Sequence, residues 1–358
     1  MLGDTVECPH CAATTSLSDP NADAEPSSRQ GLQFKNAGAA GSDNTVAPVA
    51  EKIITNVEKV VVGKRHQIML TLVAMFSEGH ALLEDVPGVA KTMLARALSE
   101  SVGGDFKRVQ CTPDLLPTDI TGASIFNPKT TEFEFRKGPL FAQFVLADEI
   151  NRATPRAQSA LLEAMAERQV SVDGIVHKLA PPFFIIATQN PVDHEGTFPL
   201  PEAQLDRFLI RLSLGYPTAS EESQMIERLQ LGHPIDSLSP VVGVEDIIRV
   251  QQEVREVRVH ERVRDYIVEI IRGTREHEAI ILGGSPRASL ALARAAQAHA
   301  AINGAAYVMP DDVKQIAPAV LPHRLIVRPE SRLRKVTPED VTAEIIRGTK
   351  VPIMPDTL

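Results

Sequence analysis

The sequence predicts an α/β fold, with a parallel-sheet core followed by a smaller α-helical domain at the C-terminus. Short apolar runs at residues 81–83, 141–147 and 183–187 alternate with helical patterns such as residues 154–168. This alternation is typical of βαβ units around a parallel sheet. From about Gly243 the strand-like runs become rare and helical patterns dominate, so the second domain is predicted to begin there.

Length and composition divide the chain into three predicted segments. The chain has 358 residues, of which 43% are hydrophobic, and this is enough for two domains that each bury a full core. Residues 1–48 are predicted to be a disordered leader, because small and polar residues dominate and periodic apolar residues are almost absent. Residues 49–242 are predicted to form the α/β core, and residues 243–358 the helical domain.

Several helix starts can be recognised from capping patterns. Thr154 followed by Pro155 predicts an N-cap and a first helical residue. Pro310 and Pro338 are each followed by two acidic residues, which the positive end of a helix dipole favours. These patterns place one helix within the sheet domain and two within the C-terminal domain.

The overall charge and the apolar pattern exclude some classes of protein. A formal charge of −9 argues against a general nucleic-acid binder, which needs a basic stripe. The first residues lack a signal-peptide pattern, and no run approaches the roughly 18 apolar residues of a membrane span. We therefore expect a cytoplasmic protein without stable membrane insertion and without a nucleic-acid partner.

Three cysteines are too few for a disulfide framework. Cys8 and Cys11 enclose Pro9 and His10, and this spacing resembles half of a zinc site or a redox pair. The sequence offers no second half of such a site downstream. No metal site is therefore predicted there.

Residues 84–92, with the sequence EDVPGVAKT, resemble a loop that cradles phosphate groups between a strand and a helix. Lys91 adds a positive charge, and Thr92 offers a hydroxyl to the magnesium that accompanies nucleotide triphosphates. The usual pattern G-x-x-x-x-G-K-[ST] has glycine where this chain has Asp85 and Ala90. A turn that leads into an ordinary helix is the alternative interpretation.

Asp148 and Glu149 follow a buried apolar run, at the strand end where α/β sheets bind ligands. Asp148 is predicted to hold Mg²⁺, directly or through water. Glu149 is predicted to orient and deprotonate the water that attacks the γ-phosphate. The alternative is an acid pair that caps the next helix, a task that Asn151 or Thr154 could also perform.

The next apolar run ends at Asn190, which we expect beside Glu149 on the neighbouring strand. There the amide can hydrogen-bond the attacking water or the γ-phosphate. An ordinary turn before Pro191 is the alternative.

Two arginines are further candidates for contacts with a nucleotide. Arg287 lies in the first turn of a predicted helix, where the dipole disfavours a cation, so a nearby anion such as a nucleotide phosphate is expected. Arg207 follows Asp206, and from the residues alone a pair with Asp206 or with a surface acid is the simpler interpretation.

Four segments together resemble the MoxR group of AAA+ ATPases. They are residues 82–94 (LLEDVPGVAKTML), 111–122 (CTPDLLPTDITG), 138–168 (GPLFAQFVLADEINRATPRAQSALLEAMAER) and 188–208 (TQNPVDHEGTFPLPEAQLDRF). The resemblance spans about residues 50 to 350, with the motifs in the family's order. It implies a P-loop AAA+ parallel-sheet core with a C-terminal helical lid. The group commonly has Ala before the loop lysine, which fits Ala90.

The resemblance also assigns roles to the candidate residues. Lys91 and Thr92 correspond to Walker A, Asp148 and Glu149 to Walker B, Asn190 to sensor 1, Arg287 to sensor 2 and Arg207 to an arginine finger that acts on the neighbouring subunit. The implied nucleotide-binding residues are Val62, Gly63, Val86, Pro87, Gly88, Val89, Ala90, Lys91, Thr92 and Met93. Val62 and Gly63 match the segment against adenine, although Lys64 stands where the family often has Gln. Residues 133–135 resemble the hairpin inserted in the second helix of this clade, which faces the pore or the client.

The resemblance implies a molecular machine that hydrolyses ATP with Mg²⁺ in a ring, expected to be a hexamer, and that remodels, matures or assembles partner proteins. A protein with a von Willebrand factor A domain is one class of partner that it implies. A nucleotide-gated scaffold with little turnover is an alternative, as is a motor subunit of the magnesium-chelatase type. A nucleic-acid motor is disfavoured by the acidic charge and by the lack of a recognisable DNA-binding module.

Overall fold

The structure, a computed structural model, describes residues 5–7, 14–16, 45–191, 196–230 and 232–354. The chain divides into two compact units, Met1–Ala37 and Gly38–Leu358. In the first unit, strand β1 (Thr5–Glu7) pairs antiparallel with strand β2 (Thr14–Ser16). Both strands lie within the predicted leader. Cys8 and Cys11 lie outside the described residues, as do residues 1–4, 9–10, 12–13 and 17–44, so the predictions for them stay predictions.

The second unit contains the remaining helices and strands. Its described strands are β3 (Ala81–Glu84), β4 (Phe106–Gln110), β5 (Gly122–Asn127), β6 (Glu132–Lys137), β7 (Phe144–Asp148), β8 (Gln169–Val172), β9 (Ile175–Lys178), β10 (Phe184–Gln189), β11 (Ile210–Leu212), β12 (Ile280–Leu282) and β13 (Ile326–Val327). Its described α-helices are α1 (Val46–Glu58), α2 (Arg65–Phe76), α3 (Lys91–Val102), α4 (Pro117–Thr121), α5 (Pro155–Glu167), α6 (Glu202–Leu205), α7 (Ala219–Gln230), α8 (Val244–Glu256), α9 (Glu261–Glu276), α10 (Pro286–Ile302), α11 (Pro310–Val320), α12 (Pro329–Leu333) and α13 (Pro338–Gly348).

Five strands form one parallel sheet in the spatial order β11-β3-β10-β7-β4. The strands are separated in sequence by helices, as βαβ connections require. After α8 the described chain is almost entirely helical, apart from the short antiparallel pair of β12 with β13. The predicted fold class, an α/β core with a C-terminal helical part, is confirmed. The predicted boundary at residue 242 stays a prediction.

The sheet separates two hydrophobic clusters, because successive side chains of a strand point to opposite faces. Leu83 and Leu146 belong to the first cluster, and Leu82 and Val145 to the second. The first cluster continues into the C-terminal helices, where it includes Leu292 of α10. The sheet and the C-terminal helices therefore share one continuous core.

Two predicted boundaries need correction. Helix α1 begins at Val46, before residue 49, where the core is predicted to start; the Val46 side chain is buried, and Pro48 is tolerated because it lies in the first turn. The strand expected at residues 141–147 is Phe144–Asp148, and it is preceded by a 3₁₀ turn at Pro139–Phe141. Phe141 and Ala142 donate their N–H groups within that turn, to the carbonyls of Gly138 (3.2 Å) and Pro139 (3.1 Å), and therefore do not pair as a strand.

Two antiparallel hairpins project from the sheet domain, β5 with β6 and β8 with β9. Residues 133–135, predicted as part of an inserted hairpin, lie in β6. Phe126 and Phe133 face each other across the first hairpin with their ring centroids 5.5 Å apart, and both are largely exposed. Across the described residues, none of the helices combines the length and the apolar character that crossing a membrane demands.

Candidate functional site

The loop between β3 and α3 gives the N-terminus of α3 its local geometry. Ala90, directly before the helix, adopts a left-handed backbone with φ of 63°, and its carbonyl accepts from the Leu94 N–H at 2.9 Å. Gly88 also has a positive φ of 86°, and a Cβ built there meets no other atom within 4 Å. The loop is therefore open on this side, as a cradle for phosphate groups requires.

Asp85 fastens the loop to the end of the sheet. Its carboxylate accepts hydrogen bonds from the Val86 N–H (2.9 Å), the Ser213 hydroxyl (2.8 Å) and the Gly215 N–H (2.6 Å). Burial by itself raises the pKa of Asp85, but the hydrogen bonds outweigh burial and lower the pKa below its ordinary value. Asp85 therefore stays ionised, and it replaces the glycine of the usual pattern with an anchor.

Lys91 lies over the loop, within the electrostatic reach of Asp148 and Glu149. Its Nζ donates to the carbonyls of Asp85 (2.5 Å) and Val86 (3.3 Å). Burial lowers the pKa of Lys91, while the charges of Asp85, Asp148 and Glu149 oppose that change. The structure thus brings together the lysine and the two acids that the sequence placed 57 and 58 residues apart.

Asp148 ends β7 and is buried, with both carboxylate oxygens bonded. The Thr188 hydroxyl, from the neighbouring strand β10, donates to Oδ1 at 2.6 Å. Arg108, from the edge strand β4, donates to Oδ2 from Nε (3.0 Å) and Nη2 (2.6 Å). A cation thus already faces the carboxylate that is predicted to hold Mg²⁺.

Glu149 follows β7 directly and has a left-handed backbone with φ of 58°. Its N–H donates to the Thr188 hydroxyl at 2.8 Å, so Thr188 joins both acids. Its Oε2 accepts from Gln110 Nε2 (3.1 Å) and Arg152 Nη1 (3.0 Å). The carboxylate is thereby oriented at the strand ends.

Asn190 follows β10 and is buried, and its carbonyl accepts from Asn151 Nδ2 at 3.2 Å. Strand β10 lies between β3 and β7, with Ala187 in register with Ala147. Asn190 therefore follows a strand that neighbours β7, and its expected place beside Glu149 stays a prediction.

The two candidate arginines both lie near the segment 206–209. Arg207 is exposed, and its Nη1 donates to the Leu162 carbonyl at 2.9 Å. Arg287 is the second residue of α10, and its side chain is 62% exposed, with Nη1 at 3.9 Å from Asp206 Oδ2. Asp206, the residue before Arg207, thus places a carboxylate near Arg287, where an anion was expected.

The remaining predicted nucleotide contacts lie on both sides of α2. Gly63 has φ of 71°, which strains any other residue, and a Cβ built there would also have to displace the end of the Glu221 side chain. Lys64 donates to the Tyr216 carbonyl at 3.1 Å. Val62 and Val89 are buried, whereas Val86, Thr92 and Met93 are partly exposed, and Pro87 and Gly88 are exposed.

Sequence reasoning missed Arg108, Gln110 and Thr188. Gln110 and Thr188 lie at or next to the ends of the two strands that flank β7, with Gln110 in register with Asp148, and Arg108 lies two residues before Gln110 on β4. Polar residues at the end of any strand that neighbours the Walker B strand are the signal that could have found them. Strand β4 itself was missed because most of its side chains are exposed and charged or polar.

The donor set suits a magnesium ion that is bound together with nucleotide phosphates. Mg²⁺ prefers oxygen ligands and usually takes one or two carboxylates plus phosphate oxygens and water. Thr92 and Asp148 offer a hydroxyl and a carboxylate of this kind. Within the described ranges, no cluster of three or more His, Cys, Asp or Glu side chains could hold a metal ion by itself.

Comparison with known proteins identifies the family. A sequence profile of the ATPase family associated with various cellular activities (AAA) matches residues 80–210, and a profile of the AAA lid domain matches residues 272–345. Chaperone MoxR1 of Mycobacterium tuberculosis is 40% identical over 323 residues, which cover 87% of this chain and 85% of that protein. The chain belongs to the MoxR family of AAA+ ATPases.

Other proteins resemble this MoxR-family chain over most of its length. Protein MoxR of Methylorubrum extorquens is 29% identical, with 84% of this chain and 93% of that protein covered. The uncharacterized protein YeaC of Bacillus subtilis is 52% identical over 306 residues, or 86% of this chain and 96% of that protein. A crystal structure of a proposed ATPase from Cytophaga hutchinsonii superposes with a TM-score of 0.81 and 37% identity, covering 86% of this chain and 96% of that one.

The two profile matches divide the candidate residues of the MoxR-family fold. The AAA match contains the loop before α3, Asp148, Glu149, Asn190 and Arg207. The lid match contains Arg287. The sheet domain and the lid therefore each contribute side chains to the region around Asp206.

Proposed function

We propose that this MoxR-family chain hydrolyses ATP in an oligomeric ring, expected to be a hexamer, and thereby remodels, matures or assembles partner proteins. One observation carries the proposal, which is the convergence of Lys91, Asp148 and Glu149 at the carboxyl ends of parallel strands. A lysine, a metal ligand and a base are the parts that phosphoryl transfer to water requires. The name of the relative MoxR1, a chaperone, supports the remodelling role.

Each residue has a role in this proposal. Lys91 and the backbone of the loop bind the β- and γ-phosphates at the N-terminus of α3. Glu149 orients the attacking water and accepts its proton, and Asn190 hydrogen-bonds that water or the γ-phosphate. Arg287 contacts the phosphate from the lid.

Mg²⁺ would be held by the Thr92 hydroxyl and the Asp148 carboxylate, and it would supply positive charge to the phosphate oxygens. Thr188 keeps the Asp148 carboxylate and the Glu149 backbone in a fixed relation through its two hydrogen bonds. Arg108 satisfies Oδ2 of Asp148 in the single chain. Because a carboxylate has about four lone-pair sites, Oδ2 can also accept a second partner.

Arg207 is proposed to act on the nucleotide of the neighbouring subunit. Its exposure supports this role, because Phe208 and Leu209 next to it are buried. A trans arginine stabilises the charge that develops on the transferred phosphoryl group, which is worth roughly 10³- to 10⁵-fold in rate. Ring assembly is then part of catalysis.

The partner is proposed to be a protein client, and a protein with a von Willebrand factor A domain is one class. The exposed phenylalanines of the β5–β6 hairpin support a surface for such a client. A cytoplasmic location and the absence of a nucleic-acid partner stay predictions.

The proposal is tested by the steady-state ATPase rate in Mg²⁺ as a function of protein concentration, with the oligomer mass measured at each concentration. We expect the rate per subunit to rise as rings form. Glu149→Gln is the matched variant, since it removes the base and keeps the size of the side chain. It is expected to bind ATP and to lose turnover.

Two results would count against the proposal. Undiminished hydrolysis by Glu149→Gln would remove Glu149 from the base role. ATP binding without turnover in the wild-type protein at every oligomer mass would favour the nucleotide-gated scaffold.

A further inference from the structure

Arg324 is a buried cation in the lid that contacts the segment next to the proposed arginine finger. It lies in the 3₁₀ turn Pro322–Arg324, and its side chain is only 3% exposed. Nε donates to Asp206 Oδ1 at 2.8 Å, Nη2 to the Phe208 carbonyl at 2.7 Å, and Nη1 to the Leu209 carbonyl at 3.2 Å. The guanidinium of Arg324 thus donates hydrogen bonds to three of the four consecutive residues 206–209 of the sheet domain.

These bonds fix the backbone on both sides of Arg207. The Phe208 ring is fully buried in the second hydrophobic cluster, so this residue is held by its side chain as well as by its carbonyl. Arg207 is the exposed residue between the two held positions, and its guanidinium points to α5, where it contacts the Leu162 carbonyl. The direction of Arg207 therefore depends on the geometry that Arg324 imposes.

Asp206 links Arg324 to the start of α10. Its Oδ1 accepts from Arg324, while its Oδ2 lies 3.4 Å from the Ser285 hydroxyl and 3.9 Å from Arg287 Nη1. The strand after Arg324 pairs antiparallel with the strand before Ser285, with Ile326 in register with Leu282. The lid thus contacts Asp206 from two sites that are connected to each other.

Arg324 has no exposed surface to offer a ligand, and its donors are directed at protein acceptors. Burial lowers the pKa of Arg324 to about 10, while Asp206 opposes that change, so the group stays charged at neutral pH. A buried charge is costly unless it is paired and hydrogen-bonded. A hydrophobic side chain would pack the lid against the sheet with a smaller desolvation cost. The buried, hydrogen-bonded arginine therefore indicates that the positions of Asp206, Phe208 and Leu209 have to be fixed.

We propose that Arg324 is a positioning residue for Arg207: by holding Asp206, Phe208 and Leu209 it fixes the backbone from which the finger extends, and it links the position of the finger to the lid helix α10. This inference rests on the proposed role of Arg207 as a trans finger. Its competitor is a purely structural role, in which Arg324 only joins the lid to the sheet and in which its loss damages the subunit's own site.

Subunit mixing separates these two roles. Arg324→Lys keeps the charge but cannot reach all three acceptors, and in pure rings we expect turnover to fall by about 10- to 100-fold with ATP affinity within about twofold of wild type. Mixing it with Glu149→Gln subunits, which have an idle site and an intact finger, is expected to restore activity. In an equal random mixture roughly one quarter of the sites combine an intact site with an intact neighbouring finger.

Mixing Arg207→Ala with Glu149→Gln shows how much turnover can be restored when the finger itself is removed. Wild type mixed with Glu149→Gln measures how strongly an idle site silences its neighbours. Arg328→Lys is the matched control, because Arg328 is an exposed lid arginine that donates to the Glu278 carbonyl, and its activity is expected to be unchanged. Asp206→Asn, which removes the charge that Arg324 faces, is expected to repeat the pattern of Arg324→Lys and decides the question if Arg324→Lys does not fold.

The outcomes are distinct. If mixing with Glu149→Gln subunits raises the turnover of Arg324→Lys as much as it raises that of Arg207→Ala, the inference is supported. Rescue of Arg207→Ala alone overturns the inference and leaves the trans finger standing. Wild-type turnover in both Arg324→Lys and Asp206→Asn also overturns it. Failure of both rescues, in rings that tolerate Glu149→Gln beside wild type, overturns the trans finger and this inference with it.

Discussion

Ala90 occupies a backbone conformation that suits glycine better. With φ of 63° and ψ of 22°, its Cβ lies in a region that disfavours side chains by roughly 1–2 kcal/mol. We therefore expect Ala90→Gly to raise the free energy of unfolding by about 1 kcal/mol, as measured by urea titration followed by circular dichroism. Ala343→Gly, at an exposed position within α13, is the control, and it should lower the same quantity by about 1 kcal/mol. Equal losses from both substitutions would contradict the strain at Ala90.

His80 makes folding sensitive to acid. The ring is fully buried, its Nδ1 accepts from the Ile185 N–H at 3.0 Å, and its Nε2 lies 3.2 Å from the Met165 carbonyl. Burial lowers the pKa of His80 from 6.5 to about 4. Because the folded-state pKa lies below the unfolded one, the contribution is fully present above pH 6.5 and is lost as the pH falls towards 4.

This shift corresponds to about 3 kcal/mol of unfolding free energy between pH 6.5 and 4. His80→Gln supplies an N–H and a carbonyl without a titrating ring, so its stability at pH 7 is expected to fall while its dependence on pH in this window becomes weaker. Urea titrations at several pH values measure both quantities. An unchanged pH dependence in His80→Gln would show that His80 does not titrate in this way. His323, whose pKa burial also lowers, keeps its own share of the slope in both proteins.

At the scale of elements, the ends of β7 and β10 act together through Thr188. Thr188→Val keeps the shape of the side chain but removes the bond to Asp148 Oδ1 and leaves the Glu149 N–H without its partner. A hydrogen bond to a charged group is worth about 1.5–3 kcal/mol, so we expect kcat to fall by about tenfold or more. ATP affinity, measured with a fluorescent nucleotide, is expected to stay within about twofold, because neither lost bond touches the loop. Thr188→Ser keeps the hydroxyl and should stay close to wild type; an equal loss in both variants would contradict the role of the hydroxyl.

The sequence predicted the elements whose pattern is strong and missed those that depend on pairing. Strands β3, β7 and β10 are apolar because both faces of the sheet are covered, so their runs can be read directly. Strand β4 lies at the sheet edge with exposed side chains, and β11 has only three residues, so neither produces an apolar run. The hydrogen bond from Arg324 to the Phe208 carbonyl joins residues that are 116 positions apart in the sequence, and no local sequence pattern predicts it. Two adjacent polar residues, His323 and Arg324, within an apolar stretch were the available signal.

At the scale of the whole molecule, helix α1 joins the start of the sheet domain to the lid. Thr45 donates to the Glu253 carboxylate of α8 from its N–H (3.1 Å) and from its hydroxyl (2.5 Å), and Val46 is 2% exposed. Deletion of residues 1–44 is expected to leave stability and ATPase activity near those of the full chain. Deletion of residues 1–48 removes these contacts and should lower the free energy of unfolding by about 2 kcal/mol or more. Equal stability of the two truncated proteins would show that the first turn of α1 contributes little.

Cys111 gives this fold an internal reporter. Its N–H donates to the Asp148 carbonyl at 2.8 Å, and its thiol is 1% exposed. Burial, together with the charges of Asp148 and Glu149, raises the pKa of the thiol to about 12, so almost no thiolate exists at neutral pH. A protein without residues 1–44 has Cys111 as its only cysteine. The rate at which an alkylating reagent consumes that thiol would then count how often the strand ends open, in each nucleotide state and without any added label.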